Sequence, residues 1–329
     1  MLINNDLFDI ISSLKQIRNT TMNFKVFTHS QQFHIDELIA IALLDIYFFV
    51  KTPVEVTRTE IVRTRDEKIL EAARQDDKSF VIDVGGSYNP AMLNFDHHQN
   101  DESLRWEDGL PLSSCGLIWK FLRETKKLHQ KMDEATMNII ENDLIRRVDK
   151  HDNGLEKLSE LIFLIMYNRK PNDPAAQDRQ FKMALRAAKD YFINYFTYIR
   201  GNMEAEKEIV KAIEKSKGHK DIVVCTSNIK DASKRIAQLE PEKKMVIYPH
   251  SNGMWAIKTV PSDPRNDFSQ KCPAPKEWLG LKDKELEDAS GINGLYFCHK
   301  GGFLTFFRGS IEDAIKVARV IILKHEGHM

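Results

Sequence analysis

The sequence predicts an α/β protein: a doubly wound, mainly parallel sheet followed by a second, smaller α/β domain. Three observations carry this expectation. In the first half, short apolar and β-branched runs alternate with helix-length apolar stretches, the pattern of β-α-β units. Acidic and imidazole side chains fall at the ends of those runs rather than within them. The stretch "KSKGHK" at 215–220 then separates this half from a second group of strand-like segments.

Taken in order, residues 1–23 lack a secretory apolar region, carry Asp6 and Asp9, and read as an extension. "FKVFTHS" (24–30) reads as a buried strand entering a polar turn, and "IDELIAIALLDIYFF" (35–49) as a strongly apolar helix. "VEVTRTEIV" (54–62) is a second strand and "DEKILEAARQ" (66–75) a helix. "SFVIDVGG" (79–86) is a short strand broken by paired glycines, and "AMLNFDHHQ" (91–99) reads as another strand. "LSSCGLIWKFLRE" (112–124) is a Ser-capped helix, and residues 133–154 form a helix stopped by Gly154. Residues 155–215 are mostly helical, with the Phe/Tyr run at 191–198 in the core. Beyond them, 221–226, 244–250, 253–260 and 295–307 read as strands, and 310–326 as a closing helix. The expected division is an N-terminal extension (1–23), a first α/β domain (24–165), a helical connector (166–220) and a C-terminal α/β domain (221–329).

Composition narrows the function classes. A chain of 329 residues has room for two domains with real cores. Lys plus Arg and Asp plus Glu both number 48, so net charge favours no polyanionic partner. A polyanion site must then be a local basic patch or use metal ions. Cys115, Cys225, Cys272 and Cys298 form no CxxC pair, which argues against a zinc ribbon or a disulfide framework and suits a reducing compartment. No window offers the roughly 18–20 apolar residues of a membrane span. We expect no membrane partner and no secretion, with a cytoplasmic or nuclear location and mitochondrial import left open.

The acids and histidines of the first half form a constellation. His29 ends the first strand, and His34 and Asp36 open the first helix. Asp83 precedes Gly85 and Gly86; Asp96, His97 and His98 end the next run; Asp149 and Asp152 lie near Gly154. In a parallel doubly wound sheet the carboxyl ends of the strands share one edge, where sites form. Imidazoles and carboxylates without thiolate suit Mn²⁺, Mg²⁺ or Co²⁺ better than structural zinc. Each piece alone has a bland reading: a helix cap, a tight turn, a satisfied histidine. Four such clusters at strand ends or loops of one α/β pattern favour a metal site. In the second half, Gly301-Gly302 after His299 and Lys300 would let backbone N–H groups approach a phosphate. Phe303, Trp255 and Trp278 are candidates for base stacking, with core packing the expected fate of each, and His250 is expected as a surface or packing residue.

The segments "THSQQFHIDE", "IVRTRD", "DVGGSYNP", "FDHHQ", "LSSCGLIW", "VDKHDNG" and "WLGLKDKELEDASGINGLYFCHKGGF" resemble the melanocyte-proliferating-gene family, in consistent order from about Phe24 to Arg319. That family in turn resembles the DHH phosphoesterases. The resemblance implies a DHH-like catalytic domain over 24–165, a substrate-binding domain over 221–329, and two divalent cations, Mn²⁺ or Mg²⁺. It implies a 3′-to-5′ exonuclease acting on 3′ ends of RNA or single-stranded DNA. His29, His34 and Asp83 would hold one cation, and Asp36, Asp83, His97 and Asp149 the other, with Asp152 ranked below Asp149. Asp96 would orient His97, and His98 would face the phosphate as a catalytic residue. Lys271, His299, Lys300, Gly301, Gly302 and Arg308 would contact substrate.

The departures from the family pattern leave every implied ligand in place. Gln31-Gln32 stand where Gly-Thr is common, Cys115 replaces alanine, Lys271 replaces arginine, and "LTFFRGS" replaces a Gly-rich stretch. An active enzyme is therefore expected. Its rivals are a pyrophosphatase or small-nucleotide phosphodiesterase with the same metal centre, and a non-catalytic, metal-stabilised binding protein. Oligomeric state is not legible.

Overall fold

The structure is a computed structural model describing residues 24–48, 60–99, 101–130, 132–169, 172–250, 252–266 and 269–328. Two compact units divide the chain, Met1–Arg200 and Gly201–Met329.

In the first unit, β1 (Lys25–Thr28) lies between β2 (Glu60–Arg63) and β3 (Ser79–Ile82), parallel to both. β3 pairs in parallel with β5 (Asn94–Phe95), which pairs antiparallel with the edge strand β4 (Tyr88–Asn89), giving the order β2-β1-β3-β5-β4. Alternation along β1 and β3 divides their side chains between two cores. Val26, Phe80 and Ile82 join the larger core with α1 (Ile35–Phe48), whose residues Leu38 to Leu44 are all buried. Phe27 and Val81 join Leu70 and Ala73 of α2 (Glu67–Arg74), a helix capped by the Asp66 carboxylate accepting from Lys68 N–H at 2.9 Å. A sheet covered on both faces has no solvent side, which is why these strands read as unbroken apolar runs.

The chain leaves β2 on one side of β1 and enters β3 on the other. The connections leaving β1 and β3 therefore run to opposite sides, and between two such strands α/β sheets open a crevice at their carboxyl edge. Next come α3 (Ser114–Glu124), whose Ser114 Oγ–H donates to Phe95 O at 3.2 Å, and a helical run of α4 (Glu134–Ile140), a π turn (Glu141–Ile145) and α5 (Arg146–Asp152), whose last residue Asp152 lies 3.5 Å from His97. After α6 (Ile162–Ile165), the long helix α7 (Pro174–Lys215) packs Phe181, Leu185 and Phe192 into the same core.

The expected strand over 91–99 shrinks to Asn94–Phe95. Pro90 starts a 3-10 turn ending at Leu93, whose φ of 58° is left-handed and ends extended pairing on that side. Residues 1–23, and 54–59 of the expected second strand, lie outside the described residues.

The second unit has the order β6-β7-β8-β10-β9. β6 (Ile222–Val224) runs parallel to β7 (Met245–Pro249), while β7, β8 (Trp255–Thr259), β10 (Leu304–Phe307) and β9 (Leu295–Cys298) pair antiparallel in turn. One face packs Met245, Ile257, Leu295 and Phe307 against Leu286 of α9 (Asp283–Ser290) and Ile321 of α10 (Ile311–His325). The other packs Val223 and Val246 against Ile236 of α8 (Ala232–Leu239) and Ile209 of α7. The apolar run 295–307, read as one strand, is two strands joined by a tight turn in which Gly302 takes φ of 72°. The short charged helices α8 and α9 were not anticipated.

Candidate metal centre

β1 ends in Thr28, and the next residue, His29, is buried at the sheet's carboxyl edge. The loop from Ser30 to His34 is held from outside. The Arg63 guanidinium donates to Gln31 O at 2.6 Å and to Asp178 Oδ1 at 2.9 Å, while lying 4.5 Å from the Phe181 ring centroid. Asn168 clamps Phe33 on both backbone groups, donating to Phe33 O at 2.7 Å and accepting from Phe33 N–H at 3.1 Å. Gln31 takes a left-handed φ of 72°. The loop delivers the chain into α1, where the Glu37 carboxylate accepts from His34 N–H at 2.8 Å, the carboxylate half of a capping box. Asp36 and Glu37 thus sit in the first turn, where the helix dipole favours negative charge.

Asp83 follows β3 with φ of 58°, a conformation that aspartate tolerates better than most residues. Its carboxylate is the hub. Oδ2 lies 3.2 Å from His29 Nε2 and 3.9 Å from His34 Nδ1; Oδ1 lies 3.2 Å from His97 Nε2 and 3.7 Å from His98 Nδ1. His29 Nε2 is also 3.0 Å from Glu37 Oε1. His97 Nε2 is 3.5 Å from Asp152 Oδ2 and 4.0 Å from Asp36 Oδ2. Three groups have ligand atoms within 4.8 Å of one another: His29, His34, Glu37 and Asp83; Asp83, His97 and His98; His34, Asp36 and Asp152.

These residues fit divalent cations by a criterion independent of their type. Buried polar atoms in folded proteins are nearly always hydrogen-bonded. Here both Asp36 oxygens, Glu37 Oε1, Asp83 Oδ2 and His29 Nε2 are buried without a hydrogen-bond partner, and all point into one locus. Burial, with Asp83 and Asp152 nearby, pushes the Asp36 carboxyl well above the usual carboxylate range. Burial also raises Asp83, but the imidazoles of His29, His34 and His97 outweigh it and hold Asp83 well below that range. Burial lowers His29, yet Glu37 and Asp83 raise it further, to about 10. So many buried ionisable groups short of hydrogen-bond partners in one place are costly unless a cation is held among them.

Two expected residues take other roles. Asp149 is buried away from these groups, and its oxygens are already occupied. Oδ1 accepts from Ser113 N–H at 3.0 Å, Ser113 Oγ–H at 2.7 Å and Gly116 N–H at 3.1 Å, and Oδ2 from Trp106 Nε1–H at 2.6 Å. It caps the N-terminus of α3 from α5, satisfying amides that no α3 carbonyl can reach. Burial still pushes it up to about 6 against those bonds. Asp152, one helical turn on, reaches the cluster instead. Asp96 pairs with His98 rather than His97: Asp96 Oδ1 is 2.6 Å from His98 Nδ1, and Oδ2 accepts from Gly86 N–H at 2.6 Å. The left-handed Gly86, φ 63°, aims that amide. Glu37 was missed, although a Glu three residues after the residue preceding an apolar helix is the capping-box signal.

Beside the cluster opens a cavity of about 660 Å³, lined by Gln32, His34, His97, His98, Asp152 and Asn168 among others. His34 and His98 have side chains 54% and 60% exposed, so both meet solvent there.

The expected substrate contacts of the second unit fare unevenly. Lys271 Nζ donates to the backbone carbonyls of Pro241 and Lys243, bracing a loop. Gly301 N–H donates to His299 Nδ1 at 3.0 Å and Gly302 N–H to His299 O at 2.8 Å, so the turn consumes the amides expected to meet phosphate. Gly302 is required by its φ and by the nearness of Leu279 and Ala274 to any Cβ. The Arg308 guanidinium lies 3.8 Å from the Tyr296 ring centroid. Lys300 is exposed and makes no ion pair among the described residues.

Comparison with known proteins agrees with the residue pattern. The family model MYG1_exonuc, described as "Uncharacterised protein family (UPF0160)", matches residues 25–322. The chain is 28% identical to a Dictyostelium discoideum protein named MYG1 protein, over 84% of this chain and 90% of that one. It is 28% identical to the Mus musculus protein named MYG1 exonuclease, over 91% of this chain and 84% of the relative. The Homo sapiens MYG1 exonuclease is likewise 28% identical, over 91% and 85%. With nearly its whole length matched and its acids and imidazoles gathered at one sheet edge, the chain belongs to the MYG1 family (UPF0160).

Proposed function

We propose that this protein is a metal-dependent phosphodiesterase with a DHH-like catalytic domain, removing nucleotides from the 3′ end of RNA or single-stranded DNA. The observation that supports it most is the set of buried carboxylate and imidazole atoms without hydrogen-bond partners beside an open cavity. The name exonuclease carried by the mouse and human relatives supports the same reaction class.

On this reading His29, His34, Glu37 and Asp83 would hold one cation, and Asp36, His97 and Asp152 the other, with Asp83 within reach of both. Two divalent cations, Mn²⁺ or Mg²⁺, would supply Lewis acidity and an activated water for in-line displacement at phosphorus. The chain's own residues do the rest. Asp96, fixed by Gly86, engages His98 Nδ1 and leaves Nε2 as the ring nitrogen available to a phosphate oxygen or the departing 3′ oxygen. Asp96 also raises His98, against the lowering effect of burial, which favours the donor form. Arg63 and Asn168 keep the first ligand loop in place.

The test is Mn²⁺-dependent digestion of a short RNA with a free 3′ end. A 3′-blocked RNA, single-stranded DNA and pyrophosphate run alongside. Stepwise shortening from the free 3′ end, abolished by EDTA, is the expected result. Phosphate release from pyrophosphate alone, or equal cleavage of the blocked RNA, would overturn the 3′-exonuclease assignment.

A further inference from the structure

One face of the second unit's sheet is only half covered. Val223 and Val246 on β6 and β7 lie under α8, but the continuation of that face onto β8, β10 and β9 joins neither core of the unit. Phe306 is the cross-strand neighbour of Phe297 on one side and Ala256 on the other; Lys258 is opposite Leu304. The rings form an unbroken chain. His250 and Phe306 have centroids 4.5 Å apart, Phe306 and Phe297 5.7 Å at 30°, Phe297 and His299 6.4 Å, and His299 and Phe303 4.2 Å. All five rings are half-buried, neither in the core nor fully exposed. On the opposite face, Phe307, Leu295 and Cys298 are buried, so the rings are not displaced core residues.

Resting on the nuclease reading above, we propose that this strip is a stacking platform for single-stranded polynucleotide, with bases laid on Phe306 and Phe297 and phosphates met by Lys258 and Lys300. The chemistry favours that occupant over a protein or a lipid. His299 has one ring nitrogen beyond the Nδ1 that accepts from Gly301 N–H, and a dry apolar partner would leave it unsatisfied. Every nucleobase has a face that stacks on such rings without regard to sequence. Lys258 and Lys300 make no ion pair or hydrogen bond among the described residues, so their charges await a counterion, and phosphates repeat along a single strand. The small Ala256 beside Phe306 adds no side chain tall enough to cover that ring. His299 accepts from Gly301 N–H at Nδ1, which leaves Nε2 as a donor at the end of the strip.

The experiment uses the full chain in EDTA, with a fluorescein-labelled single-stranded RNA of about ten uridines, read by fluorescence anisotropy. Phe306→Ala and Phe297→Ala are each expected to weaken binding at least about fivefold, within the range measured for loss of one stacked base. Phe306→Trp, which keeps a ring, should bind at least as well as the parent and shows that the alanine effect is not misfolding. Lys258→Glu should weaken binding and lower the steepness of its salt dependence by about 0.7 in log–log slope, as for one lost phosphate contact on a single strand. Equal affinity of parent and alanine variants would overturn the platform while leaving 3′-end digestion by the Mn²⁺-loaded protein to decide the nuclease reading. Absence of any binding by the parent, or a change of oligomeric state in Phe306→Ala, would overturn it as well, the latter pointing to self-association.

Discussion

Asp149 and Asp152 are one helical turn apart, and exchanging their roles would reverse two independent readouts. Asp149→Ala removes the acceptor of four donors: Ser113 N–H, Ser113 Oγ–H, Gly116 N–H and Trp106 Nε1–H. A buried donor left unpaired costs roughly 1–3 kcal/mol. The serine hydroxyl can turn and water can enter the gap, so the sum falls short of four full penalties, and about 4 kcal/mol of destabilisation is expected. For a unit of this size that lowers Tm by roughly 8–16 °C. Asp149→Asn keeps the three bonds on one oxygen and sets an amide donor against the Trp106 N–H, costing about 1–2 kcal/mol. Among the described residues the Asp152 carboxylate, by contrast, accepts from no backbone amide, and it faces His97 at 3.5 Å. Asp152→Asn should leave the metal-free Tm within about 1 kcal/mol of the parent. It should weaken Mn²⁺ binding at least about tenfold, whereas Asp149→Asn should change it by less than about threefold. Thermal melts with and without Mn²⁺, joined to calorimetric titration, measure both. Normal Mn²⁺ affinity in Asp152→Asn, together with lost affinity and an unchanged metal-free Tm in Asp149→Asn, would refute the reasoning.

Three further predictions follow from the same geometry. A Cβ at Gly116 would lie 2.7 Å from Asp149 Oδ1 and still closer to Oδ2 and Leu112, so Gly116→Ala should cost about 3 kcal/mol, read as a lower urea midpoint. His29, raised to about 10 between Glu37 and Asp83, must lose its proton before a cation can bind. Mn²⁺ affinity should therefore fall about tenfold per pH unit lowered for each proton displaced, and titrations in buffers of different ionisation enthalpy should show at least one proton released. In the metal-free protein the same shift acts on folding with the opposite trend. The native state holds the His29 proton more tightly, so its contribution is full below about pH 6.5 and is lost as pH rises toward 10. Arg63→Met deletes the bonds to Gln31 O and Asp178 and the guanidinium over Phe181 while keeping an unbranched apolar side chain of similar reach. It should weaken Mn²⁺ binding about tenfold with only a small change in Tm; unchanged affinity would show that the loop holds itself.

Local features were legible from residue order alone. Strand ends, apolar runs and the capping acids of α1 follow from short-range patterning, so His29, His34, Asp36, Asp83 and His97 could be gathered at one sheet edge from their positions alone. The family, too, was legible in the order of its motifs. The rest depends on how one element is turned against another, which no local pattern encodes. Whether Asp149 or Asp152 reaches the cluster depends on the phase of a helix run that contains a π turn and on the cap that α3 requires. Glu37 gave no sign in sequence of a role at the cluster, and only the fold of the β1–α1 loop brings its Oε1 within 3.0 Å of His29 Nε2. Asp96 turned to His98 because a left-handed glycine ten residues earlier supplied an amide to its other oxygen. The aromatic strip arose the same way, since Phe297 and Phe306 become neighbours only through an antiparallel register that neither segment encodes alone.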